Sequence, residues 1–222
     1  MEKGGMTACL SSAYLPPVQY FSKLLKYEKV FVEQYDNYRK QTYRNRCVIA
    51  GPNGPIALTV PIEKPETLKC YMKDIRISDH GKWRHLHWNA LESAYNQTPY
   101  FEFLKDDLRP FYEKPFHFLM DFNEQLTALI CELIDIQPNM ERTEEYVETR
   151  VDDDFRELIH PKRDWQEDKD FKAVPYYQVF QQKLGFLPNL SIVDLLFNMG
   201  PESLLVLESS LEFRVKSLEL RT

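Results

Sequence analysis

Glycine is scarce in this chain, seven in 222 residues, and none falls in a Gly-x-Gly-x-x-Gly fingerprint, a Walker lysine loop or a Gly-x-Ser-x-Gly elbow. The usual backbone cradles for dinucleotides and nucleoside triphosphates are therefore excluded. Cysteine is almost as rare. Cys9, Cys47, Cys70 and Cys131 are widely spaced with no Cys-x-x-Cys, so free thiols are expected rather than disulfides or a zinc site. Long apolar runs are missing, which excludes a bilayer-spanning helix, and the first residues carry no apolar core of a secretory signal. A cytoplasmic location is the expectation. An excess of positive charge is missing too: 28 Lys and Arg face 34 Asp and Glu, giving a net charge of −6 and a pI near 5.5. A general nucleic-acid or anionic-membrane binder would carry a basic surface, so neither partner is expected.

What is abundant is aromatic. Thirteen Tyr, fourteen Phe and three Trp, within 43% hydrophobic residues, allow a core built from large flat side chains. The length suits one large domain, or one domain with a small lobe. Residues 8–15 pattern as a strand running into Pro16 and Pro17, 18–26 as a helix, and 29–34 as a second strand of β-branched and aromatic residues. Strand, turn, helix, strand is the opening of a parallel βαβ unit. Residues 46–50 and 55–62 flank Gly51-Pro-Asn-Gly54 and predict a hairpin. Residues 73–77 alternate like an edge strand.

Beyond residue 80 the pattern turns helical, over 82–96, 100–112 and 116–134, with shorter helices over 174–184, 191–198 and 202–207. The charged stretch 143–171 lacks a period and predicts a loop excursion. The fold class is therefore α/β, with a βαβ start, a small mixed sheet and a helical C-terminal half. The division falls at residue 80, with 1–80 forming the sheet and 81–222 packing on it as one compact domain.

Chemistry concentrates in Asp36-Asn-Tyr-Arg-Lys-Gln-Thr-Tyr-Arg-Asn-Arg46, at the end of the second strand. From Arg39 to Arg46 there are four basic residues and no acid, against an acidic background. Lys40, Arg44 and Arg46 suit a phosphate or carboxylate, Tyr38 or Tyr43 a flat group, Asn45 a further substrate contact, and Asp36, a catalytic candidate, a ligand hydroxyl or a metal-bound water. A solvated basic loop with its tyrosines folded on the core is the competing reading.

His80, His85 and His87 lie close together, but without a His-Glu-x-x-His or an acid at ligand spacing no metal is expected. His87, one turn past Trp83, is the candidate acid/base group, or else a satisfied structural histidine. Tyr95, at a junction of two helices beside Pro99-Tyr-Phe101, either wedges that junction or faces the cleft. No motif implies a particular cofactor.

The order of Tyr14-Leu-Pro-Pro-Val-Gln-Tyr20-Phe21, Tyr38-Arg-Lys40, Asn45-Arg46, Leu58-Thr-Val-Pro61, Trp83 with His87, Tyr95 and Pro99-Tyr-Phe101 resembles the WbqC-like family over most of the chain. The opening also resembles nucleotidyltransferase-like Rossmann variants. The family resemblance implies a bacterial cytosolic protein, of a kind found in O-antigen and other surface polysaccharide assembly. It implies a transferase acting on a nucleotide-activated sugar or related phosphorylated precursor, by acyl or aminoacyl transfer; the alternative is a non-catalytic scaffold of an envelope-assembly pathway, with the acidic 152–170 segment docking a partner. Family members often place His or Gln in the first strand, where this chain has Ser11 and Ser12, and Asn where it has Cys47. If the first-strand position takes part in chemistry, Ser11 is its substitute here. The tail around Ser191-Ile-Val-Asp194 exceeds shorter members and suits a lid or a homodimer surface.

Overall fold

β1 (Thr7–Ser11) and β2 (Lys29–Glu33) pair in parallel, from Thr7 opposite Lys29 to Ser11 opposite Glu33. The computed structural model describes residues 6–65, 69–148 and 153–219, with only the backbone described from 212 onward. α1 (Val18–Lys26) makes the crossover between the two strands. It starts on Pro17, whose extended backbone and missing N–H suit a helix entrance. Its buried face carries Val18, Tyr20, Phe21 and Leu24.

Two further strands complete an all-parallel sheet: β5 (Met140–Arg142) beside β2, and β6 (Asp153–Asp154) beside β1, in the order β5-β2-β1-β6. Alternate residues Ala8, Leu10, Val30 and Val32 are buried, as a sheet packed beneath helices requires. The predicted hairpin forms from β3 (Arg46–Gly51) and β4 (Gly54–Thr59), antiparallel, with a two-residue Pro52-Asn53 loop.

The helical half comprises α2 (Trp83–Tyr95), α3 (Phe101–Leu108), α4 (Pro110–Glu113), α5 (Leu119–Ile134), α6 (Gln181–Leu184), α7 (Ile192–Met199) and α8 (Ser203–Glu219). Pro110 divides the predicted 100–112 helix, since proline lacks the N–H that a continuous helix would use there. One buried cluster runs from Ala8 and Leu10 through Tyr14, Trp83 and Phe122 to Phe197 and Leu207, joining both sheets to the helices.

Five expectations differ from the structure. The 73–77 strand is a 3-10 turn at Met72–Asp74 followed by isolated bridges from Ile77 to Ile62 and Arg76 to Phe118. Stretch 143–171 is not a mere excursion, because it supplies β6 and a turn at Trp165–Glu167; residues 149–152 lie outside the described part. The 174–184 helix contracts to α6, and the 202–207 helix extends to Glu219. The first strand ends at Ser11 rather than Leu15, where the chain turns through a positive φ of 39°.

That turn is held from far away. Val18 N–H donates to Leu190 O (3.0 Å), Ile192 N–H to Pro16 O (2.9 Å), and Ser191 Oγ to Leu15 O (2.7 Å). Ser191 N–H also donates to Val48 O on β3 (2.8 Å), so one late segment ties the parallel sheet to the hairpin.

Candidate functional site

Parallel strands aim their carboxyl ends the same way, and β1 has neighbours on both sides whose chains leave at that edge. Such an edge is where open α/β sheets place ligands. β2 delivers Glu33, β6 delivers Asp154 and then Arg156, and β1 delivers Ser11 and Ser12. The Glu33 carboxylate is wholly buried and accepts from Thr143 Oγ1 (2.8 Å), Tyr35 N–H (2.8 Å), Val147 N–H (2.8 Å) and Arg156 Nη1 (3.2 Å). Arg156 also donates to Asp154 (2.7 Å from Nη2), which holds the Asp154 carboxyl below its ordinary range although burial opposes this. One arginine is thus locked between two acids. Burial beside them pushes the Cys9 thiol up to about 12, an inert hydrophobe rather than a nucleophile.

The basic segment folds over this edge. Arg44 Nη2 donates to the Asp36 carboxylate in a buried ion pair, so these two residues are joined, both nearly inaccessible. Asn123 on α5 donates from Nδ2 to Ser12 Oγ (3.0 Å) and Arg44 O (2.8 Å), fixing the segment to β1. Asn45 is buried and donates to Val60 O (2.8 Å) at the hairpin.

Tyr38 is half-buried, which raises its phenol, while both Arg44 and Arg46 are close enough to pull it back down. Arg46 remains partly open, with Nε donating to Thr59 Oγ1 (3.1 Å). Lys40 stands exposed on the rim. Tyr43 packs against the core, its hydroxyl pushed up to about 12 by burial.

Behind Arg44 lies a small cavity of about 10 Å³ lined by Ser11, Ser12, Thr42, Tyr43, Arg44 and Arg156 among others. That is room for about one water. Ser11 Oγ, Arg44 Nε and Asn123 Oδ1 are buried there or beside it without a partner in the protein. Unfilled hydrogen-bonding groups of this kind are costly unless something polar completes them.

His87 sits elsewhere. It is buried under Trp83, its Nδ1 lies 2.9 Å from the Tyr14 hydroxyl, and it hydrogen-bonds the Thr59 backbone. The Tyr14 hydroxyl is likewise 2.9 Å from that of Tyr112. Burial lowers the His87 pKa from 6.5 to about 4, so the ring is neutral at physiological pH. None of these partners belongs to the 36–46 segment. The connection runs through Tyr14, whose N–H donates to Tyr43 O (2.8 Å).

Tyr95 is fully buried: its hydroxyl donates to Asp194 (2.9 Å) and accepts from Ala50 N–H (3.1 Å). Tyr176 (2.7 Å) and Gln178 (2.8 Å) complete the Asp194 carboxylate, whose pKa burial raises although the three donors act against it. Among the described residues no group of three or more His, Cys, Asp or Glu is placed to hold a metal ion. No helix among them is long and apolar enough to cross a membrane.

The profile of the WbqC-like protein family matches residues 11–160, from the last residue of β1 through the basic segment, α5, β5 and β6. The chain belongs to the WbqC-like protein family. It is also similar to the protein described as "Uncharacterized protein Rv1507c" of Mycobacterium tuberculosis (strain ATCC 25618 / H37Rv), 25% identical over 224 residues, covering 88% of this chain and 94% of that one. No solved structure matches the chain.

The matched WbqC-like region contains Glu33, Asn123 and Arg156. Sequence reasoning missed all three, since each enters the edge from a different element. Only the position of Glu33, at the end of an apolar strand, could have drawn attention to it.

Proposed function

We propose that the chain is a transferase acting on a nucleotide-activated sugar or related phosphorylated precursor, in bacterial surface polysaccharide assembly. The phosphate is held by the open cations of the basic segment, Lys40 and Arg46, while buried Arg44 fixes that segment through its pair with Asp36. The observation that carries this reading is that residues 39–46 hold four basic residues and no acid, of which Lys40 and Arg46 stay open while Asp36 pairs with buried Arg44. Asp36 acts here through Arg44, because a guanidinium clamped by a carboxylate is fixed in place. Ser11, beside the cavity, orients the water or acceptor group. His87, neutral and behind Tyr14, serves as a positioning residue for that turn.

Arg46→Ala is the cleanest test, since Arg46 is partly open and pairs with no acid in the described part. A lost charge-assisted hydrogen bond is worth about 1.5–3 kcal/mol, so Kd for a sugar nucleotide should rise roughly tenfold or more by calorimetry. Unchanged binding would remove the phosphate from this position. Transfer activity would then be assayed with the sugar nucleotide that binds, against acyl and aminoacyl donors.

A further inference from the structure

A cavity of about 510 Å³ opens between α5 and β5, the edge strand of the parallel sheet. Strand register decides which side chains reach it. Met140 and Arg142 stand opposite Val30 and Val32, so these four share one face of the sheet. That face is turned to α5, since Arg142 donates to Glu124 (2.8 Å) and Asp121 (2.6 Å) on the helix. Glu141 goes with Phe31 to the opposite face, where it pairs with Lys29 (2.8 Å). Glu124, Ala128 and Cys131 recur at helical spacing on the wall facing β5, and Asp135 follows where the helix ends. The floor is apolar: Val32, Cys131 and Ile136 are buried, with Met140 partly buried beside them.

The mouth is acidic. From Asp121 to Glu141 the chain has five acids and no Lys, Arg or His. Arg142 is already held by Glu124 and Asp121, which leaves Glu132 and Asp135, both exposed and without an ion pair among the described residues. They stand at the carboxyl end of a 16-residue helix, where the backbone itself presents negative partial charge and cations are favoured. We propose that this cavity binds an organic ammonium, a protonated amine on an apolar body. The hydrocarbon lies on Val32, Ile136 and Met140, and the ammonium meets Glu132 and Asp135. The volume is that of a small-ligand pocket, and an apolar floor with a few charged groups is the usual make-up of one. A bare metal ion would gain nothing from such a floor, and a carboxylate ligand would be repelled at the mouth. The site stands apart from the phosphate reading, since none of its residues belongs to the 36–46 segment.

The test titrates phenethylamine, hexylamine and 2-phenylethanol, the neutral counterpart of the first, into the full chain carrying 13C-methyl methionine. The Met140 signal, one of six from methionine and assigned by its loss in Met140→Leu, reports on the floor. Both amines should move it saturably and leave the signal of Met72, enclosed in the core, in place. Phenethylamine should bind roughly tenfold to a hundredfold more tightly than 2-phenylethanol, the range of one charge-assisted bond. Glu132→Gln with Asp135→Asn should erase that difference and leave the alcohol unaffected; asparagine accepts the φ of 63° at position 135. Glu208→Gln, an exposed acid outside the cavity, should change nothing. Ala128→Trp, at an exposed helix position, should fill the cavity and abolish binding of all three. An unmoved Met72 signal in each variant shows that the fold persists. Equal affinity for amine and alcohol, amine binding that survives the double variant or Ala128→Trp, or a Met140 signal that neither amine moves would each overturn the proposal.

Discussion

At the scale of single residues, burial decides what each titratable group can do. His87 takes up a proton near 6.5 in the unfolded chain and only near about 4 in the folded one, because its ring has been taken out of water. Its contribution to stability is therefore complete above pH 6.5 and is lost as pH falls towards 4. A shift of this size corresponds to about 3 kcal/mol. Melting curves between about pH 7 and pH 4 should steepen for wild type relative to His87→Gln; parallel curves would show that the imidazole does not titrate this way. Asp194 illustrates the opposite device, a buried carboxylate completed by Tyr95, Tyr176 and Gln178. Asp194→Ala strands three donors and should cost about 3 kcal/mol or more in urea unfolding, with Asp194→Asn losing less. Equal stability of Ala and wild type would show that the donors find other partners.

At the scale of elements, α7 and α8 meet at Gly200, with φ of +55° and the Tyr100 ring where a side chain would go. A Cβ there would stand 2.4 Å from that ring. Gly200→Ala should lower stability by about 2 kcal/mol or more, combining strain with overpacking. Gly185→Ala, with φ of +71° and open space around it, should show only the smaller backbone part. Differential scanning calorimetry of the pair separates the two effects.

The same scale shows which parts of the fold were legible in advance. β1, α1, β2 and the hairpin announced themselves, because apolar alternation, a proline entrance and a Gly-Pro-Asn-Gly turn are local signals. β5 and β6 did not: three-residue and two-residue strands exist only through pairing with β2 and β1. Residues 73–77 alternate, yet their partners are the single residues Ile62 and Phe118 rather than a strand. For the candidate site, the charge density of residues 36–46 was visible, whereas Glu33, Asn123 and Arg156 meet it only after the sheet has formed. The burial of Tyr95 and the pairing of Arg44 with Asp36 are likewise products of tertiary contact, outside the reach of local pattern.

At the scale of the whole molecule, the segment that carries Arg156 is fastened to α1 by ions. Lys23 Nζ lies 2.7 Å from Asp168 with both side chains almost fully buried, Gln19 adds a bond to the same carboxylate (2.8 Å), and Lys26 pairs with Asp170 (2.9 Å). Desolvation lowers the Lys23 pKa, while Asp168 works to restore it. Asp168→Leu should cost about 3–5 kcal/mol by leaving the ammonium buried alone, and Lys23→Met with Asp168→Leu should recover most of it. A double-mutant cycle measures the coupling; additive losses would show that the pair is not interacting. The same pair should respond weakly to salt, since counterions do not reach it.

The Leu15 turn has a different consequence, one of timing. Its left-handed backbone is unfavourable for a branched side chain, and the bonds that hold it come from Leu190, Ser191 and Ile192. The first crossover of the chain is therefore finished by its last quarter. During synthesis β1 and α1 emerge early, and their connecting turn, tied nearby through Tyr14 N–H to Tyr43 O, lacks its other bonds until Leu190, Ser191 and Ile192 have followed. Closing so long a loop is slow, and folding of this chain should commit late, in a single step that secures the sheet and the hairpin together.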